Sequence, residues 1–136
     1  MEIYEKLYEE AEAARERSYS PYSSITVGAA LLTKDGGLYT GANVENASYT
    51  PTVCAERVAI FTAVHDGARE LAAIAVAGGR VGEESGVDFV PCGVCRQVMA
   101  EFASPDFKIV TKGEDGGIIV RELSELLPYS FTKSKL

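Results

Sequence analysis

Basic residues are in short supply here. Lysine and arginine number 13 against 20 aspartates and glutamates, a formal net charge of −7, and nothing gathers the 13 into a stripe. A sequence-blind grip on a phosphate backbone needs clustered lysine and arginine, so a small substrate is a better partner than a nucleic acid. No apolar run approaches the roughly 18 to 20 residues that cross a bilayer, so no membrane partner is expected. The opening MEIYEKLYEE carries acids at regular intervals instead of a basic segment followed by an apolar one. No secretory leader is visible, and a cytoplasmic address is the expectation. Three cysteines cannot all pair within one chain, and a reducing compartment keeps them as thiols, which excludes a disulfide scaffold. Repeats, low-complexity tracts and linkers are absent as well. What is present is 136 residues, 46% hydrophobic and 24% charged, enough for a packed core and for one domain spanning residues 1–136.

Ile3, Leu7, Ala11 and Ala14 recur at helical spacing among charges, which predicts an amphipathic helix to about Arg17, ended by YSPYSS. TVGAALLTK and LYTGANV flank an Asp-Gly turn at Asp35 to Gly37 and read as a β-hairpin. After the turn-forming NASYTPT, strong helix formers and a terminating Gly67 predict a second helix from about Val53 to Asp66, with Cys54 in its first turn. LAAIAVAG from Leu71 is continuously apolar, as a central strand covered on both faces would be. GGRVGEESG, Gly78 to Gly86, reads as a loop. PCGVCRQVMAEF opens on a proline suited to a helix start and predicts a third helix to about Phe102, with Cys92 and Cys95 in its first turn. FKIVT, the turn EDGG and IIVRE predict two last strands, followed by a short helical SELL ended by Pro128. Five strands alternating with helices make the class α/β.

All three cysteines fall at predicted helix starts, where free amides and partial positive charge favour the thiolate. Zinc prefers four tetrahedral ligands, and three protein ligands leave one position for a reactive water. Thiolate softness favours zinc over harder ions. Arg57, three residues after Cys54, and Arg96, next to Cys95, are candidates for donating to the sulfurs, and Glu56 for taking a proton from water. Other readings of the same residues stand beside this one. A single C-x-x-C also serves as a redox pair or half of a structural zinc site, and buried cysteines often fill cores. The structural-zinc reading lacks a fourth ligand, because the only histidine, His65, falls about three turns from Cys54. Glu56 and Arg57 taken singly read as solvated helix charges.

CAERVAI and PCGVCRQVMAEF resemble the zinc signatures of the cytidine deaminases of the small homotetrameric type. SPYSSITVGAALL, GANVENASY and ELLPYSF resemble further segments of that family in the same order, so the likeness covers nearly the whole chain. The resemblance implies a three-layer αβα sandwich around a mixed five-stranded sheet. It implies Cys54, Cys92 and Cys95 as zinc ligands, Glu56 as proton shuttle, and Arg57 as a donor to the sulfurs. Asn43 and Glu45 would hold the sugar hydroxyls, and Ala55 would contribute to substrate binding. Phe131 would stack on the pyrimidine in a neighbouring subunit of a homotetramer, with Tyr49 near the subunit contacts. The implied reaction is hydrolytic deamination of cytidine and deoxycytidine to uridine and deoxyuridine, as in pyrimidine salvage.

Ile25 stands where the family usually has phenylalanine against base and sugar, and Val94 where alanine is usual. An aliphatic wall at Ile25 suggests an alternative substrate class, pyrimidine nucleosides with larger groups on the 4-amino nitrogen or nucleoside-like antibiotics. A zinc-bearing module without chemistry is a third reading.

Overall fold

A computed structural model describes residues 1–136. Helix α1 spans Glu2–Ala14 and runs into a 3₁₀ turn at Arg15–Arg17. Leu7, Ala11 and Ala14 are its buried face, while Ile3, in the first turn, stays exposed. Strands β1 (Ile25–Thr33) and β2 (Leu38–Ala42) form the antiparallel hairpin, pairing Leu32 with Leu38 through Gly28 with Ala42. Helix α2 (Ala55–His65), strand β3 (Leu71–Arg80), helix α3 (Gly93–Phe102), strands β4 (Lys108–Lys112) and β5 (Ile118–Glu122) and helix α4 (Leu123–Leu126) follow.

The sheet order is β2-β1-β3-β4-β5, with β3 central as its apolar run requires. Only β3 and β4 pair in parallel, so the sheet is mixed. Alternation along β3 separates two cores: Ile74 and Val76 join α2 and α3 side chains, whereas Ala73, Ala75 and Ala77 pack with Leu7 and Ala11 of α1. Helices thus cover both faces, giving three layers. Burying a side chain such as Ile74 is worth about 1.5–3 kcal/mol.

Three expected boundaries shift. Strand β3 runs to Arg80, because Gly78, Gly79 and Arg80 pair with Val27, Thr26 and Ile25 of β1, so the loop begins later than Gly78. Cys54 and Cys92 are the residues that cap α2 and α3, in extended backbone just outside them, and Pro91 lies one residue further out. Serine or aspartate at such a position bonds the helix amides. Neither cysteine makes a side-chain cap bond, which leaves its sulfur available to other partners.

Two close approaches aim these helix starts. A Cβ on Gly41 would lie 2.5 Å from the Ala55 carbonyl oxygen, so glycine lets the first turn of α2 press onto β2. A Cβ on Gly78 would meet the Phe89 ring at 2.6 Å, so the segment entering Cys92 lies flat against β3.

Candidate metal centre and active site

The tertiary fold brings the α2 and α3 starts together, and three sulfurs meet there. Cys54 Sγ lies 3.8 Å from Cys92 Sγ, and Cys92 Sγ 3.6 Å from Cys95 Sγ. All three lie within 4.8 Å of one another. A tetrahedral ion with metal–sulfur bonds of about 2.3 Å spaces its sulfurs at about 3.8 Å, so the donor set fits zinc. Cys95 is buried, Cys54 half-buried and Cys92 exposed, which leaves the cluster open on one side.

Glu56 is 3% exposed, and its Oε1 has no hydrogen-bond partner. Burial pushes its carboxyl up to about 7, and the neighbouring Cys54 charge adds to the rise. Arg57 Nη2 donates to Cys54 Sγ at 3.4 Å, while its buried Nε is unpaired. Hydrogen bonding from the Cys95 thiol, reinforced by Arg57, draws the Cys54 thiol down to about 5, and the same contact raises Cys95. Negative charge in the cluster therefore collects first on Cys54, beside the guanidinium.

Arg96 does not donate to sulfur. Its Nε donates to the Pro91 carbonyl and its Nη1 to the Leu126 carbonyl, because the side chain leaves α3 one residue past Cys95 and turns toward the chain's C-terminal part. His65 ends α2, exposed and remote from the helix start that carries Cys54.

Asn43 is 8% exposed and heavily engaged. Its Oδ1 accepts from Ser18 Oγ and the Val27 amide, and its Nδ2 donates to the Ile25 carbonyl. One amide hydrogen is left for another acceptor. Glu45 accepts from the amides of Tyr22 and Ser23 at 3.0 and 3.1 Å and from Ser23 Oγ. The Ser23 hydroxyl and those amides hold its carboxyl below the usual range. Glu45 borders a hollow of about 380 Å³ with Tyr22, Ser23, Tyr49 and Thr52. Ile25, at the start of β1, is half-buried against the main core. The Ala55 side chain is wholly buried, so only its backbone could meet a substrate. Phe131 is 60% exposed, and its carbonyl accepts from Gln97 Nε2 at 2.8 Å.

The sequence reading passed over Ser23, Asp88, Gln97 and Arg121. Asp88 takes a bidentate pair from Arg121, at 2.5 and 2.8 Å, and a bond from Thr111 Oγ1. It thereby pins the approach to Cys92 against β4 and β5. Their partners are 22 to 34 residues away in sequence, and no local pattern signals contacts of that range.

Comparison with known proteins gives one consistent result. The family described as "Cytidine and deoxycytidylate deaminase zinc-binding region" matches residues 1–111. A cytidine deaminase of Sporosarcina psychrophila is 46% identical over 132 residues, 97% of this chain and 93% of that protein. One from Halalkalibacterium halodurans is 49% identical over 126 residues, 93% of this chain and 92% of that one. The crystal structure of a cytidine deaminase from Burkholderia pseudomallei superposes with a TM-score of 0.82 at 48% identity, covering 93% of this chain and 97% of that one.

Proposed function

The chain belongs to the cytidine and deoxycytidylate deaminase family, and from that premise we propose that it catalyses hydrolytic deamination of cytidine and deoxycytidine to uridine and deoxyuridine, releasing ammonia. The observation that carries this reading is the convergence of three thiols beside a buried carboxyl group with an unpaired oxygen. We assign Cys54, Cys92 and Cys95 as the zinc ligands, within one catalytic domain formed by the whole chain. Zinc, when bound, lowers the pKa of a water molecule from about 15.7 to near 7.

The remaining work falls to the protein's own groups. Glu56 Oε1 takes the proton that the attacking water loses as oxygen adds to C4 and passes it to ring N3. It then takes the second proton of that oxygen and passes it to the amine as the C4–amine bond breaks. A carboxyl group that titrates near neutrality can both accept and release a proton at working pH. Arg57 offsets thiolate charge from the Cys54 side. Asn43 and Glu45, oriented by their internal bonds, have one amide hydrogen and exposed carboxylate lone pairs left to meet sugar hydroxyls. Backbone atoms of Ala55 and the side chain of Ile25 form the wall on the base side.

A homotetramer completes this reading. Support comes from large apolar side chains that remain exposed in the single chain, among them Tyr49, Val94, Tyr129 and Phe131. In this arrangement Phe131 reaches a neighbour's pocket and stacks on the base.

The test is an ultraviolet absorbance and ammonia-release assay over a panel of cytidine, deoxycytidine, N4-substituted cytidines and nucleoside antibiotics, with and without a chelator. Turnover of the first two, abolished by chelation and restored by zinc, is the expected result. Zinc binding without ammonia release from any pyrimidine would make the protein a binding module, and turnover confined to the substituted compounds would redirect the substrate assignment.

A further inference from the structure

We propose that Arg96 and Gln97 are positioning residues that tie the Cys92–Cys95 turn to the C-terminal segment carrying Phe131, so that metal occupancy and the seating of that segment are coupled. The Arg96 guanidinium bridges two carbonyl groups, Pro91 through Nε and Leu126 through Nη1, each at 2.8 Å. Pro91 immediately precedes Cys92, and Leu126 is the last residue of α4. Gln97, the next residue along, donates to the Phe131 carbonyl. Beyond Leu127 that bond is the segment's one hydrogen bond to the rest of the molecule. The backbone bonds of Lys135 and Leu136 are local, and the Thr132 hydroxyl pairs with Ser134. Tyr129 is fully exposed, with left-handed backbone at φ 55°, and the Phe131 ring is exposed too. Beyond Leu127 polar anchorage therefore rests on Gln97, while the α4 turn from which the segment departs is held at its end by Arg96 and at its start by the Leu123 and Ser124 amides, which donate to the Phe107 and Pro105 carbonyls.

The direction of coupling follows from the geometry. An ion held by Cys92 and Cys95 immobilises the turn between Pro91 and α3, and with it the carbonyl that fixes one edge of the Arg96 fork. The opposite edge then holds the end of α4, from which the segment departs. By linkage, releasing Arg96 from either carbonyl weakens the ion by the factor that losing the ion loosens the segment. Groups that orient metal ligands in this way typically change metal affinity about 10- to 100-fold when replaced. Lysine is the informative replacement, since an ammonium keeps the charge but cannot span two acceptors as the planar guanidinium does.

The experiment measures zinc affinity by chelator competition and amide hydrogen exchange over residues 129–136, in zinc-loaded and zinc-stripped full-length protein, with α1 as internal reference. In the native chain, removing zinc should speed exchange in the segment about 10-fold relative to α1. Arg96→Lys should lose about 10-fold in zinc affinity, and its segment should exchange at one rate, loaded or stripped. Gln97→Ala should free the segment in loaded and stripped protein alike and, by the same linkage, lower zinc affinity by up to about 10-fold, and should raise KM about 3- to 10-fold with kcat near the native value. Native protein whose segment exchanges identically with and without zinc overturns the coupling, as does Arg96→Lys with native zinc affinity. The inference rests on the zinc-deaminase reading only for the KM readout. If no nucleoside is turned over, that reading fails while the zinc and exchange measurements still decide the coupling.

Discussion

Leaving Glu56 Oε1 buried without a hydrogen bond costs stability, about 1–3 kcal/mol for an unsatisfied polar group. A chain keeps such an atom where another molecule is to use it. Glu56→Gln preserves size and burial but cannot shuttle a proton, so turnover should fall about 10²- to 10⁴-fold, while chelator competition still shows zinc bound. Near-native turnover in this variant would remove the proton-shuttle assignment. Ile25 poses a question of shape. If Ile25 forms the base-side wall, an aromatic ring there would add contact worth about 0.5–1.5 kcal/mol, and the aliphatic side chain would leave room instead. Ile25→Phe should therefore favour cytidine over an N4-substituted cytidine relative to the native chain, as read from the ratio of their kcat/KM values. An unchanged ratio would mean that this wall does not select the substrate.

Among the elements, the segment between β3 and α3 has the most to do, since it delivers Cys92. It is held by Phe89 over Gly78 and by the Asp88–Arg121 pair. The Arg121 hydrogen bonds, joined by Thr111, hold the Asp88 carboxyl below its usual value. A folded-state pKa below the unfolded one means that the pair stabilises the fold above about pH 4, and that this contribution disappears as pH falls through the folded-state value. Asp88→Asn should accordingly lower the urea midpoint at pH 7, and the gap from the native chain should close on acidification below pH 4. A gap that persists at pH 2 would show that the carboxylate charge is not what holds the segment. Asp88 is partly open to solvent, so screening keeps the effect modest.

For the whole molecule, the issue is whether one chain is enough. Phe131 is exposed, the sulfur cluster is open on the Cys92 side, and the Glu45 hollow lies at the surface. If a neighbour's Phe131 closes the pocket, activity should sediment with the tetramer and fall with dilution below its dissociation constant. Phe131→Ala should raise KM more than it lowers kcat, because stacking holds the base without taking part in proton transfer. Sedimentation of an active monomer would remove the shared-pocket assignment.

Local physics was enough to make the elements legible. Helical spacing marked α1, the Asp-Gly turn marked the hairpin, and the continuous apolar run at Leu71 marked the central strand, because each signal acts within a few residues. The three cysteines were legible as a candidate donor set for a related reason, since their spacing is a local pattern, and the fold does bring them together. Glu56 taken singly reads as a solvated helix charge, and only the packing buries it. Three details went differently. Cys54 and Cys92 fell outside their helices, Gly78 to Arg80 joined a strand because β1 offered partners, and Arg96 turned from the sulfurs to two carbonyls. The helix starts shifted by local capping geometry, whereas the other two were decided by neighbours distant in sequence, β1 for the strand and Leu126 for Arg96. The same holds for the meeting of the α2 and α3 starts: chain order places Cys54 and Cys92 38 residues apart, and only sheet pairing and the close packing at Gly41 and Gly78 set their sulfurs 3.8 Å from one another.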